Sequence, residues 1–184
     1  MNPNTAEFYD SWWGSNDATS YLHDRQLDEI AAHIVDRIGD PPKRLMDLGG
    51  GISRLARLAR IRGHVPFVVD FSRIAVDEMQ AEGIGAMCYD ISRWYGAMLM
   101  QDVDVVTCCE CLEHLSKPQL AIRCARAHSG WAFFSVPNAR VWAQQPATHM
   151  RRYDILSLTE LLRQAYKHVE VIAMHKWLVA ECHA

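Results

Sequence analysis

The spacing of apolar positions changes period at Asp40-Pro41-Pro42. Before the prolines, Leu27, Ile30, Ala31, Ile34, Val35 and Ile38 recur at helical spacing until Gly39. This predicts an amphipathic helix with Asp17 as its candidate cap. An aromatic cluster of Phe8, Tyr9, Trp12, Trp13 and Tyr21 lies ahead of it. After the prolines, short apolar runs alternate with helical stretches. Strands are predicted at 43–48, 64–71, 86–91, 103–109 and 131–136, and helices at 53–62, 72–83 and 118–128. Ser157-Leu-Thr-Glu160 reads as a capping box opening a helix to 166, and 168–174 and 177–183 read as a closing antiparallel pair. Such alternation implies the α/β class: a doubly wound, mostly parallel, Rossmann-like sheet covered on both faces, with one antiparallel strand from the C-terminal pair. The expected organisation is one domain, with 1–42 a helical cap or lid and 43–184 the core.

Composition narrows the possibilities. The 184 residues suit one domain, and 49% hydrophobic with 22% charged residues excludes a disordered chain. Nineteen Lys+Arg against 22 Asp+Glu leave a charge of −3, which excludes a strongly basic nucleic-acid coat but not a local basic patch. No apolar run approaches the ~18 residues of a membrane span. The start, Met1-Asn-Pro-Asn-Thr-Ala-Glu, has no charged or apolar leader pattern. Of the six cysteines, Cys88, Cys108, Cys109, Cys124 and Cys182 fall in apolar stretches that read as core, and Cys111 lies just beyond one. Cys108-Cys109-x-Cys111 lacks zinc-knuckle spacing, so reduced thiols and a cytoplasmic location are expected. Oligomeric state leaves no signal.

The strongest local signal is Leu45-Met46-Asp47-Leu48-Gly49-Gly50-Gly51-Ile52-Ser53. It places a Gly-rich loop between the first strand and its helix, where backbone can approach a ligand closely, and a carboxylate at the strand's end. Asp70 ends the next strand, at a spacing that suits a carboxylate holding both hydroxyls of a ribose, and Asp90, followed by Ile91, ends the third. A tight turn with acidic caps is the plainer alternative. The dinucleotide fingerprint G-x-G-x-x-G fails at Arg54, which disfavours a hydride-transfer enzyme.

Asp47-Leu-Gly49-Gly50-Gly51-Ile-Ser53 resembles the first motif of class I S-adenosylmethionine-dependent methyltransferases, in which an acid precedes G-x-G-x-G. Val68-Val69-Asp70-Phe71-Ser72 and Tyr89-Asp90-Ile91 are similar to that family's second-strand and adenine-side motifs. The resemblance implies S-adenosylmethionine as cofactor, with Gly49, Gly50 and Gly51 beneath it, Asp47 facing its methionine part, Asp70 with Phe71 at the ribose, and Asp90 with Ile91 at the adenine. Ser53 stands where a third motif glycine is common, and it can still cap the helix. Asp104-Val-Val-Thr-Cys-Cys-Glu110-Cys-Leu-Glu113-His114-Leu115 and Phe133-Phe134-Ser135-x-x-Asn138 are similar to the ubiquinone-biosynthesis O-methyltransferases, as are Trp12-Trp13 and Leu22-His23. Small-RNA 2′-O-methyltransferases share the E-x-x-E-H pattern with a later histidine, here His149. The short segment between Asn138 and His149 departs from the quinone enzymes, as does Ala165-Tyr166-Lys167, which lacks their usual glycine.

Three readings of this cluster stay open. Glu110, Glu113, His114 and His149 would form an N/O site for a divalent metal such as Mg, able to lower the pKa of a bound hydroxyl. Without metal, His114 or His149 would be a general base, with Glu110 at the boundary of cofactor and acceptor. In the third, Glu113-His114 only packs the turn. Arg140, Arg151 and Arg152 are candidates for holding an anionic substrate, while Arg54, Arg57 and Arg60 read as a solvated helix face. The expected activity is methyl transfer to an oxygen, or a nitrogen, of a small acceptor. The alternatives are a ribose 2′-O-methyltransferase and a non-catalytic interaction module.

Overall fold

The computed structural model describes residues 4–96, 99–100, 103–142 and 144–184. Three helices come first: α1 (Ala6–Trp13), α2 (Asn16–Leu22) and α3 (Arg25–Ile38). They are followed by β1 (Arg44–Leu48), α4 (Arg54–Ile61), β2 (Val65–Asp70), α5 (Arg73–Ala81), β3 (Gly85–Cys88) and β4 (Val105–Cys109). The chain then runs through α6 (Pro118–His128), β5 (Trp131–Pro137), α7 (Ile155–Leu162), β6 (His168–Met174) and β7 (Trp177–His183). The strands form one sheet in the order β3-β2-β1-β4-β5-β7-β6, with β7 antiparallel to both neighbours. This is the doubly wound sheet that the alternation of periods implies. None of the described helices is long and apolar enough to cross a membrane.

Alternate strand positions serve opposite faces, because successive side chains point to opposite sides of a sheet. Met46, Leu48, Val106, Phe134 and Leu178 share one apolar cluster with Ile122 of α6 and Leu158 of α7. Leu45, Val105, Phe133 and Val179 pack instead on the Leu27–Ile38 stripe of α3. Fully burying each such side chain stabilises the fold by roughly 1.5–3 kcal/mol.

Local chemistry corrects several boundaries. Asp17 caps nothing: Ser15 caps α2, and Asp24 caps α3 by accepting from Gln26 N at 2.9 Å. The capping box belongs to Asp154 and Ser157, not to Ser157 and Glu160, and α7 stops at Leu162. β3 ends at Cys88, so Asp90 lies past the strand and caps a 3₁₀ turn, Ile91–Arg93. Cys88 is exposed rather than core. Arg54 and Arg57 are pinned to Asp28 and Glu82 rather than solvated.

Candidate active site

The order of the sheet reverses between β1 and β4, and ligands of such sheets bind at the carboxyl ends flanking that point. The β1–α4 turn is built for close approach. Gly49 and Gly51 have φ of +65° and +57°, a region costly for side chains. A Cβ on Gly49 would overlap Cys111 Sγ, and one on Gly51 would overlap the Trp13 ring. Gly50 has its own reason, since a Cβ there would meet the Asp47 carboxylate.

Two acids hold this turn in different ways. Asp47 is buried behind it, its oxygens accepting from Ser53 Oγ at 2.6 Å and Thr107 Oγ1 at 2.7 Å. It therefore ties β1, α4 and β4 together and does not line the main cavity. Burial pushes its carboxyl up from the ordinary value, opposed by those two hydroxyls. Asp70 does line the cavity; its oxygens accept from Gly51 N at 2.9 Å and Ser72 N at 2.8 Å. An ionised carboxylate has about four acceptor positions, so Asp70 retains capacity for ligand hydroxyls. Burial raises it to about 6. Phe71, Asp90 and Ile91 line the same cavity, and Asp90 accepts from Ser92 N and Oγ at 2.9 and 2.6 Å.

The cavity measures about 560 Å³ and is roofed by α1 and α2. Tyr9, Trp12, Trp13 and Tyr21 face it, Trp12 and Trp13 meeting edge to face at 4.8 Å. Asp10 fastens α1 to the start of α5, accepting from Ser72 Oγ at 2.5 Å and Ile74 N at 3.2 Å. The other end is tied by Asn4, which donates through Nδ2 to Thr148 O at 3.1 Å.

Beyond β4 the backbone turns sharply. Glu110 takes φ +51°, a left-handed conformation rare for a residue with a side chain and often found where function demands it. Ser135 Oγ donates to Glu110 Oε1 at 2.9 Å, and burial raises the carboxyl to about 7. A 3₁₀ turn, Leu112–His114, follows. Backbone N–H groups of Met150 and Arg151 donate to Glu113 O at 2.8 and 3.2 Å, docking the 148–151 segment on this turn. His149 is thereby carried to His114, the rings meeting edge to face at 4.7 Å.

Glu113, His114 and His149 each offer one ligand atom within 4.8 Å of the others. Glu110, expected in the same set, stands outside this group. Both carboxylate oxygens of Glu113 are buried without a hydrogen-bond partner among the described residues. A buried polar atom left unpaired costs several kcal/mol, so this carboxylate requires a cation or a proton. Burial drives Glu113 upward, with the Glu110 charge adding to it. Both histidines fall to about 4 through burial, and are neutral at pH 7. His114 Nδ1 lies 3.1 Å from the Thr148 carbonyl, which can only accept, so Nδ1 carries the proton and Nε2 keeps its lone pair. Tyr9 Oη also lies 3.1 Å from Nδ1, tying the roof to this histidine.

The arginines expected to meet an anionic substrate lie away from the cavity. Arg140 pairs with Asp154 at 3.0 Å, Arg151 donates to the Leu115 and Ser116 carbonyls, and none of the three lines the cavity. Residues that pattern reasoning missed include Asn4, Ser135, Trp142 and Lys176. Ser135 lies inside one of the family-like motifs, but nothing in the sequence pairs it with Glu110.

Fold and site together define a doubly wound α/β protein with a nucleoside-sized cleft at the reversal of its sheet. The model of the family described as "Methyltransferase domain" matches residues 21–169, and the chain belongs to that family. It is 28% identical over 170 residues to the ubiquinone biosynthesis O-methyltransferase of Nitrosomonas europaea, covering 83% of this chain and 65% of that protein. The chain thus spans about 65% of that relative's length. Among solved structures, a TehB-like SAM-dependent methyltransferase from Corynebacterium glutamicum superposes with a TM-score of 0.69 at 16% identity, over 99% of both chains. Magnesium protoporphyrin IX methyltransferase from Synechocystis, with bound SAH, gives 0.66 at 16% identity, over 88% of this chain and 83% of that one. These likenesses place the fold among class I methyltransferases.

Proposed function

We propose that the protein transfers the methyl group of S-adenosylmethionine to a hydroxyl oxygen of a small acceptor, with a divalent cation held by Glu113, His114 and His149. The observation that carries this reading is the Glu113 carboxylate, buried and unpaired beside two neutral imidazoles on the wall of the cofactor-sized cavity. Such a cation, when bound, would lower the pKa of an acceptor hydroxyl. Two imidazoles and one carboxylate suit manganese, iron, cobalt or zinc better than magnesium, which prefers all-oxygen sites. The low histidine values favour metal ligation over general-base work, because a base at about 4 is too weak to deprotonate a hydroxyl near pH 7.

Glu110 is the better general base, since it lines the cavity and titrates near 7. In the transfer, the acceptor oxygen forms a bond to the methyl carbon as the carbon–sulfur bond breaks. The hydroxyl proton passes to Glu110, and the sulfonium charge is lost. The aromatic roof excludes water and aligns the two reactants, and alignment is where such a reaction gains most of its rate. Gly49–Gly51, Asp70 and the Asp90–Ile91 pair would hold the cofactor, with Asp47 supporting the loop from behind.

Calorimetric titration with S-adenosylmethionine tests the cofactor reading: wild type binds it and not NAD, and Asp70→Ala weakens binding. Titration with Mn²⁺, followed by its paramagnetic resonance, tests the cation. Wild type captures one ion and Glu113→Gln does not; an unchanged signal in the variant would refute the site.

A further inference from the structure

The roof helix α1 touches both ends of the cavity, and Tyr9 reaches from one to the other. Its ring lies 5.4 Å from that of Phe71 on the cofactor side and 6.0 Å from that of His114 on the far side. Its neighbour Asp10 accepts from Ser72 Oγ and Ile74 N, which pins α1 directly after the Asp70–Phe71 pair. Trp13, at the end of the same helix, lies against Gly51, where an added Cβ would strike its ring. Toward the far side, Tyr9 Oη lies 3.1 Å from His114 Nδ1 and donates to Asn4 Oδ1 at 3.2 Å. Asn4 Nδ2 donates to Thr148 O at 3.1 Å, and Thr148 O lies 3.1 Å from the same His114 Nδ1. Tyr9, Asn4, Thr148 and His114 thus close a ring of hydrogen bonds on one imidazole nitrogen.

Counting protons fixes the direction of each bond. The Tyr9 hydroxyl has one hydrogen, given to Asn4, and the Thr148 carbonyl has none. Both therefore accept from Nδ1–H, and Nε2 keeps its lone pair. That lone pair lies 3.9 Å from Glu113 Oε1, an oxygen with no hydrogen-bond partner among the described residues. Two electron-rich atoms so placed repel unless a cation or a proton stands between them. Acceptors on the second nitrogen are what hold a metal-ligating imidazole in tautomer and orientation. Of the two acceptors here, only Tyr9 belongs to the helix that also covers the cofactor side.

We propose that Tyr9 is a positioning residue that couples the two sites, holding His114 ready for a cation from a helix that bound cofactor holds in place. The proposal rests on the reading of Glu113, His114 and His149 as a cation site beside a methyl-donor cavity. A cation on Nε2 draws electrons from the ring and makes Nδ1–H a stronger donor to Tyr9 Oη. That bond favours α1 seated over the cavity. Cofactor beneath α1 favours the same seating, and so presents Tyr9 Oη to Nδ1–H before a cation arrives. Linkage then requires each ligand to tighten the other by one common factor. Coupling of this sign fills the two sites together, so the methyl donor and the cation are present at once.

Two titrations measure that factor from its two sides. S-adenosylhomocysteine is titrated by calorimetry with and without saturating Mn²⁺, and Mn²⁺ by paramagnetic resonance with and without saturating S-adenosylhomocysteine. A mutual tightening of about tenfold is expected in wild type, within the range common for coupled sites. Tyr9→Phe keeps the ring against Phe71 and removes only the hydroxyl. The Mn²⁺ affinity it loses should be about fivefold greater with S-adenosylhomocysteine bound than without it, leaving a factor of about two or less. A merely structural role for Tyr9 would lower both affinities by one ratio and leave the factor unchanged. Independent binding in wild type, mutual weakening, or a factor that survives Tyr9→Phe would each overturn the proposal. In those cases both ligands still bind, so only the role of Tyr9 falls. If Mn²⁺ does not bind wild type the cation reading falls, and if S-adenosylhomocysteine does not bind the methyl-donor reading falls; either failure removes this proposal as well.

Discussion

The two ends of the cavity are finished to different degrees. On the glycine-loop side, Asp47, Asp70 and Asp90 all accept hydrogen bonds from the chain itself. On the far side, the Glu113 oxygens and the Trp177 N–H are buried with no hydrogen-bond partner among the described residues, and the Lys176 ammonium lies against two ring faces and 3.7 Å from Asp24 Oδ2. The acids of the first end are held by the chain itself, although the Trp13 indole N–H beside Gly51 is also buried without a partner among the described residues. The second holds buried polar groups that a proton or a ligand would satisfy, and imbalance of that kind is one way a site gains selectivity.

Breaking the finished end should cost most. Asp47→Ala leaves Ser53 and Thr107 without their acceptor, and hydrogen bonds to charged groups are worth 1.5–3 kcal/mol each, so a loss of about 3 kcal/mol is expected. Calorimetry should show Tm falling by roughly 6–12 °C for a chain of this size. Glu113→Leu should act in the opposite direction. It removes two unpaired buried oxygens and should stabilise the metal-free protein by about 1–3 kcal/mol in denaturant titrations, while abolishing cation binding. A destabilised Glu113→Leu protein would show that the carboxylate has a partner within the fold.

A pH titration sharpens the contrast next. Asp70 rises to about 6 in the folded protein, above its ordinary value, so the folded state binds a proton more readily than the unfolded chain. Its contribution to stability is therefore present at low pH and is lost as pH climbs from about 4 to about 6. Cofactor affinity should run the other way, because hydroxyls donating to Asp70 favour its ionised form. Below about pH 6, binding should weaken by up to tenfold per unit, and Asp70→Asn should flatten the profile. The smallest effect belongs to Arg140→Ala. That side chain is exposed and pairs with Asp154 outside the cavity, so stability and cofactor affinity should change by no more than ~0.5 kcal/mol.

The cofactor end was legible because its parts are close in sequence and obey local rules. A glycine turn after an apolar strand, with acids at the next strand ends, announces itself through backbone conformation and a repeating period. Even there, the motif points Asp47 to the ligand side, and the fold turns it away. Whether a carboxylate looks forward or back depends on Ser53 and Thr107, and Thr107 lies on a different strand. The three-helix entry was legible only in its long member, α3, because α1 and α2 are too short to show a clear period.

The chain's own pattern of apolar and polar residues therefore determined the α/β class, the position of the glycine turn, and a cluster of acid and histidine around 110–114. Those features depend on interactions spanning a few residues, and the periodicity of helix and strand records them directly. Tertiary structure alone decided that Glu110 lies outside the candidate metal-ligand group, that His149 lies within it, and that among the described residues Lys176 rather than an arginine lines the cavity. Each of those outcomes depends on how segments far apart in the chain dock, through backbone hydrogen bonds such as Met150 N to Glu113 O and Asn138 N to Lys176 O. Backbone amides and carbonyls are alike in every residue type, so such bonds leave no trace in the order of side chains.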